Sequence, residues 1–331
     1  MTRLNPDDTL AEAFRGKTVL VTGGTGYLGS GLVGLLSGVD CDIRRLGRQA
    51  TGRVPCAGAA RICDLVGDVS TAPFWEESLD GVDVIFHFAA QTSTYVANAN
   101  PLGDQSANVL PMLLLLESCR RHRLQPMICF ASTVTVAGIP ARLPVDEDHP
   151  DHPLTVYDLH KQMAEQYLRW YAEQGLVRGV TLRLANVYGP GPRSSRADRG
   201  ILNQMIRRAG DGAPLTVYGS GEQLRDYLYI EDAARAFLMA AMHGEALTGK
   251  HFVIGSEVGY PIAAALELVA ARAAARTGKP VEILHVPPPD TLSPIESRNF
   301  VADSRRFRAA TGWQPHHSLS EGIDRTLEAL T

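Results

Sequence analysis

Cysteine is scarce in this 331-residue chain, and its five copies, Cys41, Cys56, Cys63, Cys119 and Cys129, are odd in number with no C-x-x-C pair. That pattern argues against a disulfide framework and a thiolate zinc site, so no metal is expected, and it fits reduced thiols in a cytoplasm. Positive charge is not in excess either: 32 Lys and Arg face 36 Asp and Glu, for a net charge of −4. The arginines are scattered among acids, which gives no electrostatic case for a nucleic acid. Long apolar runs are also missing. The run at 112–116 is far too short to cross a bilayer, and residues 1–15 carry acids where a signal peptide needs an apolar stretch. The expectation is a cytoplasmic protein of small-molecule chemistry, with no membrane and no nucleic acid partner.

What the chain does have is alternation. Thr18-Val19-Leu20-Val21 is an apolar, β-branched run that stops at glycines and gives way to an amphipathic stretch over 27–36. It reads as strand, tight turn and helix. A second strand at 42–46 completes the spacing of a βαβ unit. Apolar runs at 82–88, 127–131 and 180–184 follow, separated by helical patterns at 110–121 and 161–173. This order predicts an α/β fold of Rossmann type, a doubly wound parallel sheet with helices on both faces. The length leaves room for a smaller C-terminal α/β domain. Composition changes after Tyr188-Gly189-Pro190-Gly191-Pro192, while the apolar helix at 231–242 returns to the first unit. We therefore expect a discontinuous first domain of 1–185 and 226–250, and a second of 186–225 and 251–331.

Thr22-Gly23-Gly24-Thr25-Gly26-Tyr27-Leu28-Gly29 places glycines at 23, 26 and 29 between the first strand and the first helix. Gly23 permits the tight turn, Gly26 lets backbone approach a pyrophosphate, and Gly29 lets the helix pack closely. Gly23, Thr25, Gly26, Tyr27, Leu28 and Gly29 are thus candidate dinucleotide contacts. At the end of the second strand an acid would bind the adenosine ribose of NAD, but this chain reads Arg45-Leu46-Gly47-Arg48. The Arg48 fork suits the 2′-phosphate of NADP, which makes NADP the expected cofactor and NAD the alternative. The plainer reading of Arg44 and Arg48 is solvated strand-end charge. Asp68, followed by Val69, accepts from an adenine amino group or simply forms a turn. Phe88-Ala89-Ala90 ends one apolar strand in small residues where backbone must approach the cofactor. Ala131-Ser132-Thr133 ends the next in hydroxyls, at the carboxyl edge where open α/β sheets bind ligands. Tyr157 and Lys161 lie four apart on a helical stretch, so an ammonium can sit near a phenol and favour its anion.

These segments, with Val136-Ala137-Gly138, Asn186-Val187-Tyr188-Gly189-Pro190, Val217-Tyr218-Gly219-Ser220-Gly221 and Arg225-Asp226-Tyr227-Leu228-Tyr229-Ile230-Glu231-Asp232, resemble the extended short-chain dehydrogenase/reductase family of nucleotide-sugar enzymes over nearly the whole chain. The resemblance implies that Thr133 and Tyr157 are the proton-donating hydroxyls, and that Lys161 holds the nicotinamide ribose and lowers the tyrosine pKa. It implies a nucleotide-diphosphate sugar as substrate, dTDP-linked, with Thr92, Asn186, Val217, Arg225 and Arg298 among its contacts. For Arg298 the alternative is a surface arginine in a variable loop. A homodimer through two long helices, at 103–121 and 157–173, is a further family expectation.

Two positions depart from the family pattern. Sugar 4,6-dehydratases carry an Asp-Glu pair after the active-site threonine, whereas this chain has Val134-Thr135. Neither residue exchanges a proton at neutral pH, which disfavours dehydration. Ala137 stands where many members have tyrosine. The run Phe307-Arg308-Ala309-Ala310-Thr311-Gly312-Trp313-Gln314-Pro315 resembles the 4-ketoreductases of deoxysugar pathways. With Gly47-Arg48, it makes NADPH-dependent reduction of the C4 ketone of a dTDP-4-keto-6-deoxyhexose the leading expectation, with Tyr157 as proton donor. The runner-up is a UDP-sugar 4-epimerase with retained NAD. A non-catalytic dinucleotide sensor is a third reading, but it has no need of a hydroxyl, a phenol and an ammonium together.

Overall fold

A computed structural model describes residues 6–47, 58–192 and 200–330. The chain opens with α1 (Pro6–Phe14), β1 (Thr18–Thr22), α2 (Tyr27–Leu36), β2 (Asp42–Gly47), β3 (Arg61–Val66), α3 (Ala72–Ser78) and β4 (Val84–His87). Helices α4 (Thr94–Ala99), α5 (Pro101–Asn108) and α6 (Leu110–His122) lead to β5 (Met127–Thr133), α7 (Val156–Glu173) and β6 (Arg178–Leu184). Beyond these come β7 (Asn186–Tyr188), α8 (Ile201–Gly210), β8 (Leu215–Tyr218), β9 (Leu224–Tyr229), α9 (Ile230–Met242), α10 (Gly244–Leu247) and β10 (His251–Ile254). The chain ends with β11 (Gly259–Pro261), α11 (Ile262–Thr277), β12 (Ile283–Val286), α12 (Arg305–Thr311) and α13 (Leu319–Glu328).

Seven strands form one parallel sheet in the order β10-β6-β5-β4-β1-β2-β3. The direction of winding reverses between β1 and β4, so the crevice at their carboxyl ends is the place where such a sheet receives a ligand. The central strands β1 and β4 carry apolar runs, Val19-Leu20-Val21 and Val84-Ile85-Phe86, because both their faces are covered. Side chains alternate along each strand: Val19 and Val21 join the core beneath α2 and α9, while Leu20 joins Met112, Leu115 and Ala164 under α6 and α7. Phe86 and Ile85 on β4 divide in the same way. The expected Rossmann-type sheet is therefore present.

A second core gathers Leu202, Ile206, Leu215, Val269 and Ile323 from α8, β8, α11 and α13. Beside it lie a three-stranded sheet, β11-β9-β7, and a two-stranded one, β12-β8. The boundary expected at 250 falls short, because β10 pairs with β6 and extends the large sheet. Phe252 and Ile254 bury themselves in the first core, although the division expected from sequence assigns them to the other lobe.

Candidate active site

Helix α2 starts at the end of β1, and no side chain caps its N-cap residue, Gly26. Backbone N–H groups at a helix start favour an anion. Gly23 has a φ of +66°, and a Cβ there would meet the Ala89 nitrogen at 2.9 Å. A Cβ at Gly29 would lie 2.2 Å from the Gly23 oxygen. Only glycine permits packing this close, and the backbone so presented fits a dinucleotide diphosphate. Thr22 locks the join to β4: its hydroxyl accepts from Phe88 N and Ala89 N, both at 3.1 Å, and meets His87 Nδ1 at 2.9 Å. Since two N–H groups already donate to that oxygen, its own proton goes to Nδ1, and His87 carries its hydrogen on Nε2. Burial keeps this ring neutral, pushing its pKa down to about 3, with the Lys161 charge adding to the effect.

Several expected cofactor residues also have partners within the protein. The Tyr27 phenol points to the second lobe and donates to the Gly189 carbonyl at 2.8 Å, so Tyr27 can serve a dinucleotide through its backbone, not its ring. Leu28 packs between the two cores, and Thr25 is half-buried in the turn. Asp68 takes the turn-forming role, accepting from Ser70 N at 2.9 Å and Ser70 Oγ at 2.7 Å. The Val69 carbonyl accepts from Trp75 Nε1 at 2.8 Å. Phe88 packs edge-on to Phe237, and Ala90 is exposed at the end of β4. Arg48 lies outside the described residues. Its neighbours are not solvated strand-end charges: Arg45 forks onto Asp64 at 2.7 and 2.8 Å, and Arg44 donates to the carbonyls of Ser78 and Asp80.

β5 delivers Thr133 and α7 delivers Tyr157 and Lys161. Helix α7 begins with a capping box in which the Thr155 hydroxyl accepts from Asp158 N and the Asp158 carboxylate accepts from Thr155 N, each at 3.2 Å. That start fixes the rotation of the first turn, and Tyr157 and Lys161 are both buried as a result. The Lys161 ammonium lies 4.0 Å from the centre of the Phe130 ring. Burial pushes its pKa down to about 7, against the pull of Glu165 and Asp104. The Thr133 and Thr135 hydroxyls are 2.8 Å apart, and Thr135 Oγ1 donates to Asp158 Oδ1 at 2.5 Å. This link holds the residue next to Tyr157 against the end of β5, so the hydroxyl, the phenol and the ammonium are gathered in one region.

A second network sets the loop after β4. His160 Nδ1 meets Asp104 Oδ2 at 2.7 Å, and the other Asp104 oxygen accepts from Gln91 Nε2 at 2.6 Å and Asn108 Nδ2 at 2.9 Å. Asn108 also donates to the Gln91 carbonyl at 2.9 Å. The loop bearing Thr92, which is exposed, is thereby tied to α5 and α7.

On the sugar side the structure corrects two expectations. Val217 is 1% exposed and belongs to the second core, so its side chain is not a substrate contact. Arg225 is buried, and its guanidinium donates to the carbonyls of Leu224, Glu296 and Arg298 rather than facing a diphosphate. Arg298 is not a surface arginine but a buried one: Nη1 donates to the Ile295 carbonyl at 2.9 Å, and among the described residues Nε has no hydrogen-bond partner. Burial and the neighbouring Arg225 push its pKa down to about 10. Asn186 is half-buried at the start of β7, opposite Tyr227.

The model of the NAD dependent epimerase/dehydratase family matches residues 19–255. The chain belongs to that family. Among curated members, the UDP-glucose 4-epimerase of Mycolicibacterium smegmatis is 31% identical over 315 residues, covering 93% of this chain and 97% of its own. The crystal structure of the UDP-glucose 4-epimerase of Thermotoga maritima with UDP-glucose superposes with a TM-score of 0.81 at 27% identity, covering 95% of this chain and 98% of that one. The Thermus thermophilus UDP-glucose 4-epimerase, in complex with NAD, gives a TM-score of 0.77 at 29% identity, with 94% and 98% covered. Membership of the family makes this chain an enzyme type that acts on nucleotide sugars with a nicotinamide cofactor. Among the described residues, no helix is long and apolar enough to cross a membrane.

Within the family frame, residues with no motif of their own turn out to hold the site. His87, Asp104, Asn108 and Asp158 all lie within the matched residues, and each is nearly inaccessible to solvent. The available signal was chemical: a charged or amide side chain in an apolar helix or strand needs a partner.

Proposed function

We propose that the chain is a UDP-sugar 4-epimerase that oxidises and re-reduces the C4 carbon of a nucleotide-linked hexose. The observation that carries this reading is the gathering of Thr133, Tyr157 and Lys161 at the carboxyl edge of the sheet, near the bare glycine turn. A dinucleotide whose diphosphate is held on that turn would supply a nicotinamide able to accept a hydride and return it. Tyr157 takes the hydroxyl proton during oxidation and gives it back during reduction, and the Lys161 ammonium favours the phenolate that must be present before the proton is taken. The likeness to UDP-glucose 4-epimerases across 93% of the chain supports this choice over the dTDP-ketosugar reductase that leads on sequence. One observation favours the reductase: β2 ends in Leu46-Gly47, without the acid that would select NAD.

The second lobe is proposed to hold the nucleotide sugar, with Arg298 the candidate for its diphosphate. A homodimer is proposed through α7, where Leu159 and Trp170 are 45% and 53% exposed. Eleven residues make three helical turns, so the two share a face. Purified protein separates the two enzyme readings. Interconversion of UDP-glucose and UDP-galactose without added cofactor supports the epimerase. NADPH consumption with a dTDP-4-keto-6-deoxyhexose, and no interconversion, transfers the assignment to the reductase.

A further inference from the structure

By residue type, position 135 is inert in proton chemistry, yet its hydroxyl is the middle member of a chain that ends on a buried carboxylate. Thr133 Oγ1 and Thr135 Oγ1 are 2.8 Å apart, and Thr135 Oγ1 lies 2.5 Å from Asp158 Oδ1. The other carboxylate oxygen accepts from Thr155 N at 3.2 Å and Thr155 Oγ1 at 2.8 Å. Asp158 has 0% of its surface exposed. The helix cap requires only Oδ2; nothing in a capping box asks for Oδ1 to meet a hydroxyl from another element.

Counting protons fixes the direction of the chain. An ionised carboxylate only accepts, so the single Thr135 hydroxyl proton points to Asp158, and Thr133 must donate to Thr135. Of the two Thr133 lone pairs, one takes the Thr135 N–H at 3.2 Å and the other is left for a ligand. We propose that Asp158, acting through Thr135, is a positioning residue that sets the polarity of the Thr133 hydroxyl and makes it a hydrogen-bond acceptor toward the sugar. The inference rests on the reading of Thr133 as a substrate-facing hydroxyl. In this state the Thr133 hydroxyl has no proton to give to a ketone oxygen, which leaves that donation to Tyr157, and its open lone pair accepts from a ligand O–H other than the one Tyr157 takes.

A proton on Asp158 reverses every bond in the chain. Asp158 then donates to Thr135, Thr135 to Thr133, and Thr133 to the ligand, while each hydroxyl keeps one hydrogen and the added proton stays on the carboxyl. The charged group facing Asp158 from outside α7 is Arg298, itself beside Arg225 and Glu296. Burial pushes the Asp158 pKa above the ordinary carboxylate value, and the hydrogen bonds from Thr135 and Thr155 and, more weakly, the Arg298 cation oppose it in favour of the carboxylate.

Infrared spectroscopy of protein carrying carboxyl-labelled aspartate tests the chain without any substrate, with the Asp158 band assigned by Asp158→Asn. Thr135→Val and Thr133→Val should each shift that band and its titration midpoint, and Thr135→Ser should restore both. A band that Thr133→Val leaves unmoved overturns the proposal. In turnover of UDP-glucose, Thr135→Val should lower kcat about 10-fold with little change in KM and remove one acid limb from the pH profile, and Thr135→Ser should recover both. Wild-type kcat and pH profile in Thr135→Val would also overturn it. The Thr135 variants leave the cap intact, and melting temperature checks folding. If the infrared coupling is present but wild-type protein turns over no UDP-sugar, the epimerase reading fails and the chain from Asp158 stands.

Discussion

Lys161 offers a test in which stability and activity move in opposite directions. Its ammonium is buried against Phe130, and its pKa falls from the ordinary 10.5 to about 7. Between those two values the unfolded chain binds a proton that the folded chain does not, so stability rises with pH across this window and is flat on either side of it. A difference of this size is worth about 5 kcal/mol at about 1.4 kcal/mol per tenfold change in the proton equilibrium. Lys161→Met keeps the length of the side chain and removes the charge. Urea unfolding of cofactor-stripped protein at pH 7 should therefore find the variant more stable than wild type by several kcal/mol, with the gap closing toward pH 10. Stripping matters because a bound dinucleotide stabilises the wild type by mass action. Turnover should fall by about 100-fold or more in the same variant, since the phenol loses its electrostatic partner. Parallel stability curves for the two proteins from pH 7 to 10 would refute the burial argument. Unchanged turnover would refute the role given to the ammonium.

Other parts of the molecule give sharp outcomes as well. Arg225→Met strips a donor from the carbonyls of Glu296 and Arg298, and at ~1–3 kcal/mol for each buried orphan it should cost about 3 kcal/mol or more in urea unfolding, with Arg225→Lys recovering only part. Unchanged stability would return Arg225 to the diphosphate role. Gly29→Ala pushes a Cβ to 2.2 Å from the Gly23 oxygen and should weaken dinucleotide binding by more than about 10-fold in calorimetry, with a loss of ~1–3 kcal/mol in stability. Leu159→Glu combined with Trp170→Glu should convert a dimer to a monomer in sedimentation equilibrium while leaving the melting temperature of the protomer close to wild type. A dimer that persists would place the interface elsewhere.

The parts of this protein that were readable in advance are those in which cause and effect lie within a few residues. The glycine spacing at 23, 26 and 29 encodes a turn and the helix it feeds, and the four-residue step from Tyr157 to Lys161 encodes a shared helical face. Strand ends, helix starts and the order of winding follow from such steps, and the large sheet appeared as expected except for β10, whose four residues were too short to announce which sheet they join. Residue type misled where the partner is distant. An arginine near a sugar-binding segment suggested a phosphate, but Arg225 serves carbonyls more than seventy residues along the chain, a pairing no local pattern specifies. Val217 alternates with polar neighbours, as half-buried strands do, and only the packing of α8 and α11 on β8 decides which face is dry.

Position 135 is the most instructive case. Threonine in place of an acid removes the acid from that position, and the inference against dehydration follows from the sequence. The structure adds that a carboxylate stands directly behind the threonine, twenty-three residues later in the chain, reached through one hydroxyl. An acid has thus not been lost from this part of the chain's fold but set one hydrogen bond behind Thr135. At that distance it cannot take a proton from carbon directly, yet it can still decide which way a hydroxyl proton points. Eliminating water needs the first ability, whereas moving hydride on and off a carbon whose oxygen is held in place needs only the second.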